Sequence, residues 1–185
     1  MTHRLFVALR PPPEARAALL ALMGGVPEAR WQTDAQLHAT LAFIGEVERH
    51  QAEAVAAALA RLSAPPLALR FGSFGTFETR GRVSALWIGL EPAEPIAALA
   101  ARVSSALLPA GVPLPTRRFV AHVTLARFPA RGVPAAALLR FLADRQPPAL
   151  PFRMDEAILF ESRLGRSGAH YEPLLAVPLR ARAAA

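Results

Sequence analysis

Two pairs of strands with no room for a helix between them restrict this chain more than any other feature. LALRF at 67–71 and RVSALWIGL at 82–90 are rich in strand formers and flank a Gly-rich stretch, GSFGTFETRGR, that reads as their turn. Near the end, MDEAILFES and YEPLLAVPL flank a second turn at LGRSG. Parallel neighbours need a crossover of a dozen or more residues, so the strand pairs at 67–90 and 152–179 must be antiparallel. A wholly parallel sheet is excluded.

The rest of the chain alternates between strands and helices. RLFVAL near the start reads as a strand, and Pro11 to Pro13 open a helix that runs to about Met23 and ends at Gly24, Gly25 and Pro27. After an extended piece around Trp31, HATLAFIG makes a strand closing on Gly45. A helix from about Glu48 to Leu62 places Val55, Leu59 and Leu62 at helical spacing and stops at Pro65-Pro66. Pro95 to Leu108 gives the next helix, FVAHVTLARF a strand, and Pro134 to Asp144 a fourth helix. The fold class expected is α+β, in a single domain over residues 1–185.

Within that pattern one frame occurs twice. HATL at 38–41 and HVTL at 122–125 each sit in a strand, and each strand is followed by a helix and then by a strand hairpin. The spacing suggests two similar halves, each contributing one frame. Alternation along a strand puts His38 with Thr40 and His122 with Thr124 on one face. Ala39, Leu41 and Phe43, like Val123 and Leu125, then point to the core. Strict alternation also turns Arg127 toward the core, so a role beside His122 requires the strand to end or bulge before it.

Composition narrows the chemistry. There is no cysteine, hence no disulfide framework, thiolate metal site or cysteine nucleophile. All 21 basic residues are arginine, and the formal charge is +7, which favours phosphate-bearing partners through the planar guanidinium fork. The first residues carry too short an apolar run for a signal peptide, and no stretch is long enough to span a bilayer, so a soluble cytoplasmic protein is expected. Without lysine there is no Walker-type phosphate loop, and GRSG at 165–168 is not a nucleophile elbow. Neither frame has an acidic neighbour before Glu46, beyond the expected strand, so neither suggests a metal centre.

Two imidazoles across a cleft suit metal-free cleavage of a phosphodiester. One takes a proton from the attacking water or hydroxyl and the other gives one to the leaving oxygen, each transfer contributing roughly 10²- to 10⁴-fold in rate. Thr40 and Thr124 can hold non-bridging phosphate oxygens, and Arg127 can offset their charge. No cofactor is called for. His3, His50 and His170 read as structural, while Phe6, Trp31, Phe119 and Tyr171 are candidates to stack on a base.

The paired frames, together with RLFVAL, RW at 30–31, LHATLAFIGEV, FGSFGTF, ALWIGL, FVAHVTLARF and LFESRLGRSGAHYEPL, resemble the two-histidine (2H) phosphoesterases, and among them the LigT-like RNA 2′,3′-cyclic phosphodiesterases. The resemblance covers nearly the whole chain. It implies two pseudo-symmetric lobes whose antiparallel sheets flank a central groove, with helices outside. It also implies opening of RNA 2′,3′-cyclic phosphate ends to 2′-phosphomonoesters, with 2′,5′-RNA ligase or phosphodiesterase activity in some members. His38 would be the general acid and His122 the general base, and Thr40, Thr124 and Arg127 would bind phosphate. The partners implied are RNA ends or small nucleotides, with no membrane and no obligate protein partner. The chain departs from the family at Ala121, where Pro is common, and at Ala85, where Arg is common; Arg80 or Arg82 could take the place of the latter. The alternatives are a 2H phosphoesterase acting on another cyclic or 2′,5′-linked nucleotide, and a non-catalytic RNA-end binding module.

Overall fold

The unbroken apolar run of RLFVAL makes β1 (Thr2–Leu9) an inner strand buried on both of its faces. Leu5, Val7 and Leu9 enter the main core, while Phe6 and Ala8 join a smaller cluster with Ile158 and Phe160 on the other side. The computed structural model describes residues 2–112, 118–165 and 168–180. In it β1 pairs with β3 (Ala39–Glu48) and with β8 (Glu156–Gly165), and β9 (Gly168–Pro178) completes a sheet in the order β3-β1-β8-β9. A second sheet has the order β2-β6-β5-β4-β7, from β2 (Arg30–Trp31), β4 (Leu67–Thr79), β5 (Arg82–Glu91), β6 (His122–Arg127) and β7 (Pro151–Met154). Every pairing in both sheets is antiparallel.

Helices α1 (Pro13–Leu22), α2 (Arg49–Leu59), α3 (Ala93–Leu107) and α4 (Ala135–Asp144) cover the sheets. Each buries a stripe, such as Ile96, Leu99, Val103 and Leu107 of α3, into the same core that holds Val7 and Leu9 of one sheet and Ile88 and Val123 of the other. The architecture is α+β, as expected. Among the described residues no helix is long and apolar enough to cross a membrane.

Four local expectations need correction. The Gly-rich stretch is not a turn: β4 runs to Thr79, and the reversal is made by Arg80 and Gly81 alone, both at positive φ, a two-residue hairpin turn. The glycines serve close approach instead, since a Cβ on Gly75 would lie 2.2 Å from the Trp87 ring. β3 does not close on Gly45 but continues through Glu46 to Glu48, Gly45 taking φ 85° on the way. α2 ends at Leu59 rather than Leu62, and the short β7 went unread because PFRM is too brief for an alternating signal. In the LGRSG turn, Arg166 and Ser167 lie outside the described residues, while Gly165 and Gly168 pair across it.

The halves are also not the lobes. The β4-β5 hairpin that follows the first frame joins the sheet of the second frame, and the β8-β9 hairpin that follows the second frame joins the sheet of the first. Each sheet is therefore built from both halves of the chain.

Candidate active site

Both frames end in the same backbone irregularity. In β3, Thr40 pairs with Ala8 and Ala42 with Val7, so Leu41 has no partner; in β6, Thr124 pairs with Trp87 and Ala126 with Leu86, so Leu125 has none. Each is a β-bulge, one extra residue that shifts the alternation by one. From Ala39 to Phe43 and from Val123 to Arg127 the burial sequence is identical: buried, half-buried, buried, buried, exposed. The bulge thus turns Arg127 out of the core, as its proposed role requires. It also corrects the expectation for Phe43, which is not a core residue but is 42% exposed. His38 lies one residue before β3, because the β1 ladder ends at the Leu9–Ala39 pair.

The two imidazoles are held alike. His38 Nδ1 lies 2.7 Å from the carbonyl oxygen of Gln36, and His122 Nδ1 lies 2.7 Å from that of Val120. A carbonyl only accepts, so Nδ1 carries the hydrogen in both rings and Nε2 is the atom free to exchange a proton. Aromatic rings wall each imidazole. Phe6 and Tyr171 stand 5.0 and 5.1 Å from His38, and Phe77 and Trp87 stand 4.9 and 5.8 Å from His122, measured between ring centroids. Gln36 further ties the first site together, since its side chain donates to the Ala169 carbonyl of β9 at 2.8 Å.

Burial among these rings disfavours the imidazolium. It lowers the His38 pKa from its ordinary 6.5 to about 4; the Gln36 hydrogen bond opposes this, and the positive charges of Arg127 and His122 add to it. His122 is lowered as well, chiefly by burial, against the Val120 bond and with Arg127 contributing. Arg127 is therefore close enough to act on both rings. Among the described residues it has no carboxylate partner, leaving its charge available to an anion.

The other candidates separate cleanly. Phe6 and Tyr171 adjoin His38, whereas Trp31 packs on Phe141 and Phe119 against the main core. His3 is bound to Glu161 and His50 lies beside Glu48. Arg82 donates to the Ala130 carbonyl, and Arg80 forms the hairpin turn. Phe77 and Trp87 were missed, because nothing in their local sequence sets them apart from core aromatics. Gly75 was the available signal, since a glycine inside a strand points to a large ring crossing it. Among the described residues no three His, Cys, Asp or Glu side chains gather as a metal-ligand set.

Comparison with known proteins places the chain in a family. Residues 11–166 match the family described as the 2'-5' RNA ligase superfamily. The chain is 28% identical over 182 residues to an RNA 2',3'-cyclic phosphodiesterase of Geobacillus stearothermophilus, covering 94% of this chain and 56% of that protein. It is 26% identical to one of Archaeoglobus fulgidus, covering 84% of this chain and 92% of that one. Thus the chain spans little more than half the length of the first of these relatives and nearly all of the second. Among solved structures, E. coli LigT complexed with 3'-AMP superposes with a TM-score of 0.76 at 26% identity, covering 97% of this chain and 99% of LigT. A crystal structure described as a phosphoesterase gives 0.79 at 26% identity with the same coverage. The fold is LigT-like, and the chain belongs to the 2'-5' RNA ligase superfamily, the two-histidine phosphoesterases that its paired frames resemble.

Proposed function

We propose that the protein opens 2′,3′-cyclic phosphates at RNA ends to 2′-phosphomonoesters by metal-independent acid–base catalysis between His38 and His122. The observation that carries this reading is the equivalent tethering of the two rings through Nδ1, which leaves both Nε2 atoms free, one to accept a proton and the other, when its ring is protonated, to give one. Water attacks phosphorus and loses its proton to one Nε2; the P–O3′ bond breaks, and the other Nε2–H protonates O3′. Thr40, Thr124 and Arg127 hold the non-bridging oxygens, where charge accumulates. The names of the curated relatives support the same substrate class.

The proton balance of His38 differs between the two roles it could take. With a pKa lowered to about 4, His38 is neutral at pH 7. Acting as the acid, as the family resemblance implies, it must regain a proton against the burial that chiefly lowers its pKa, with the phosphate's negative charge favouring the imidazolium and offsetting Arg127. Acting as the base, it needs no such change. The assay is purified protein with EDTA on a nucleoside 2′,3′-cyclic phosphate, with the product identified as the 2′ or 3′ monoester. Turnover to the 2′ monoester that falls at least 10²-fold in His38→Ala and in His122→Ala is expected. No turnover, or turnover indifferent to both substitutions, would refute the proposal.

A further inference from the structure

The two half-sites are equivalent in backbone and opposite in chemistry. Five residues after its histidine, one frame carries Arg127, paired across the ladder with Ala85; the other carries Phe43, paired with Phe6. Opposite the threonines the exchange is reversed, with Trp87 facing Thr124 and Ala8 facing Thr40. At the position five residues after the histidine, one end of the site thus presents a cation and the other an aromatic ring. Phe6 is spent on the packing around His38 and is only 3% exposed, whereas Phe43 keeps 42% of its surface open on the same face of the sheet. Arg4 lies over that ring, with its guanidinium carbon 5.3 Å from the centroid.

Arg4 is too far along β1 to reach a phosphate held at Thr40. Thr40 pairs with Ala8, and four strand residues span about 13 Å. Glu46 opposes Arg4 in the ladder, yet among the described residues no ion pair joins them. An exposed ring beside a guanidinium that has no ion pair among the described residues, on the same sheet face as the proposed phosphate site, has the chemistry of a base-stacking platform beside a second phosphate. A mononucleotide has no second phosphate to offer; an RNA chain does.

We propose that Phe43 and Arg4 form a subsite for the nucleotide preceding the cyclic-phosphate terminus, Phe43 stacking on its base and Arg4 binding an internucleotide phosphate. This rests on the hydrolase reading above and specifies an oligonucleotide as the preferred substrate. The test compares kcat/KM for cytidine 2′,3′-cyclic phosphate with that for a trinucleotide ending in the same group, in wild type, Phe43→Leu, Phe43→Ser and Arg4→Gln, with thermal unfolding confirming that each variant is folded. The wild type should favour the trinucleotide, and each substitution should cut the trinucleotide-to-mononucleotide ratio by about tenfold. Arg4→Gln should also reduce the slope of log(kcat/KM) against log[salt] by about one for the trinucleotide. If wild type hydrolyses both substrates and no substitution moves the ratio, the subsite is overturned while the hydrolase reading stands. If wild type hydrolyses neither, the hydrolase reading fails and the subsite with it.

Discussion

A histidine whose Nδ1–H is fixed on a carbonyl can trade protons only through Nε2, and burial sets which way that trade runs at rest. His38, ordinarily near 6.5 but held at about 4, is neutral in the native protein where the unfolded chain would be protonated. The unfolded state therefore binds more protons between those two pH values, so stability falls as pH drops through that window. The loss approaches roughly 3 kcal/mol once the pH is below both. Urea unfolding from pH 7 to 4 should show a shallower decline in His38→Gln than in wild type. The acid can be told from the base by its leaving group: an aryl phosphodiester, whose phenolate departs unprotonated, should restore much of the rate to whichever alanine variant lacks the acid. If His38 is the acid, His38→Ala recovers by at least tenfold relative to His122→Ala on that substrate.

At the scale of single elements, the bulges at Leu41 and Leu125 decide what the groove contains. Strand parity read from the sequence placed His38 with Thr40 and His122 with Thr124, and their half-burial between buried neighbours accords with it. Past those threonines parity misled, since a bulge depends on how the neighbouring strand pairs and leaves no mark in its own residues. Phe43 was therefore assigned to the core, and Arg127 needed a condition that only the ladder could supply. Gly75 and Trp87 form a second coupled pair. A methyl group at Gly75 would overlap the indole, so Gly75→Ala should displace Trp87 from the ring beside His122. In a Trp31→Phe background the expected results are a shifted Trp87 emission, a lower Tm and reduced kcat, whereas Gly81→Ala, in an open turn, should leave the emission unchanged.

For the molecule as a whole, the α+β class was legible from hairpins too short for crossovers, but which hairpin joins which sheet was not. Local pattern specifies a strand; its distant partner depends on the shared core. Because each sheet takes strands from both sides of the chain, a fragment of residues 1–112 has β1 and β3 without β8, and β4 and β5 without β6. It should show no cooperative unfolding transition alone, and should regain one when mixed with residues 113–185.

The exchange of hairpins between sheets also bears on how substrate enters. Two lobes joined by a hinge work as jaws, opening to admit a ligand and closing to assemble the catalytic groups. Here the hairpins cross from one half of the chain to the sheet of the other, and both sheets share one buried core. Spreading the walls would tear that core. On the proposed function, an RNA end would have to fit between walls already fixed to one another by folding, since the strands that carry the two imidazoles are anchored in the same core before any ligand arrives.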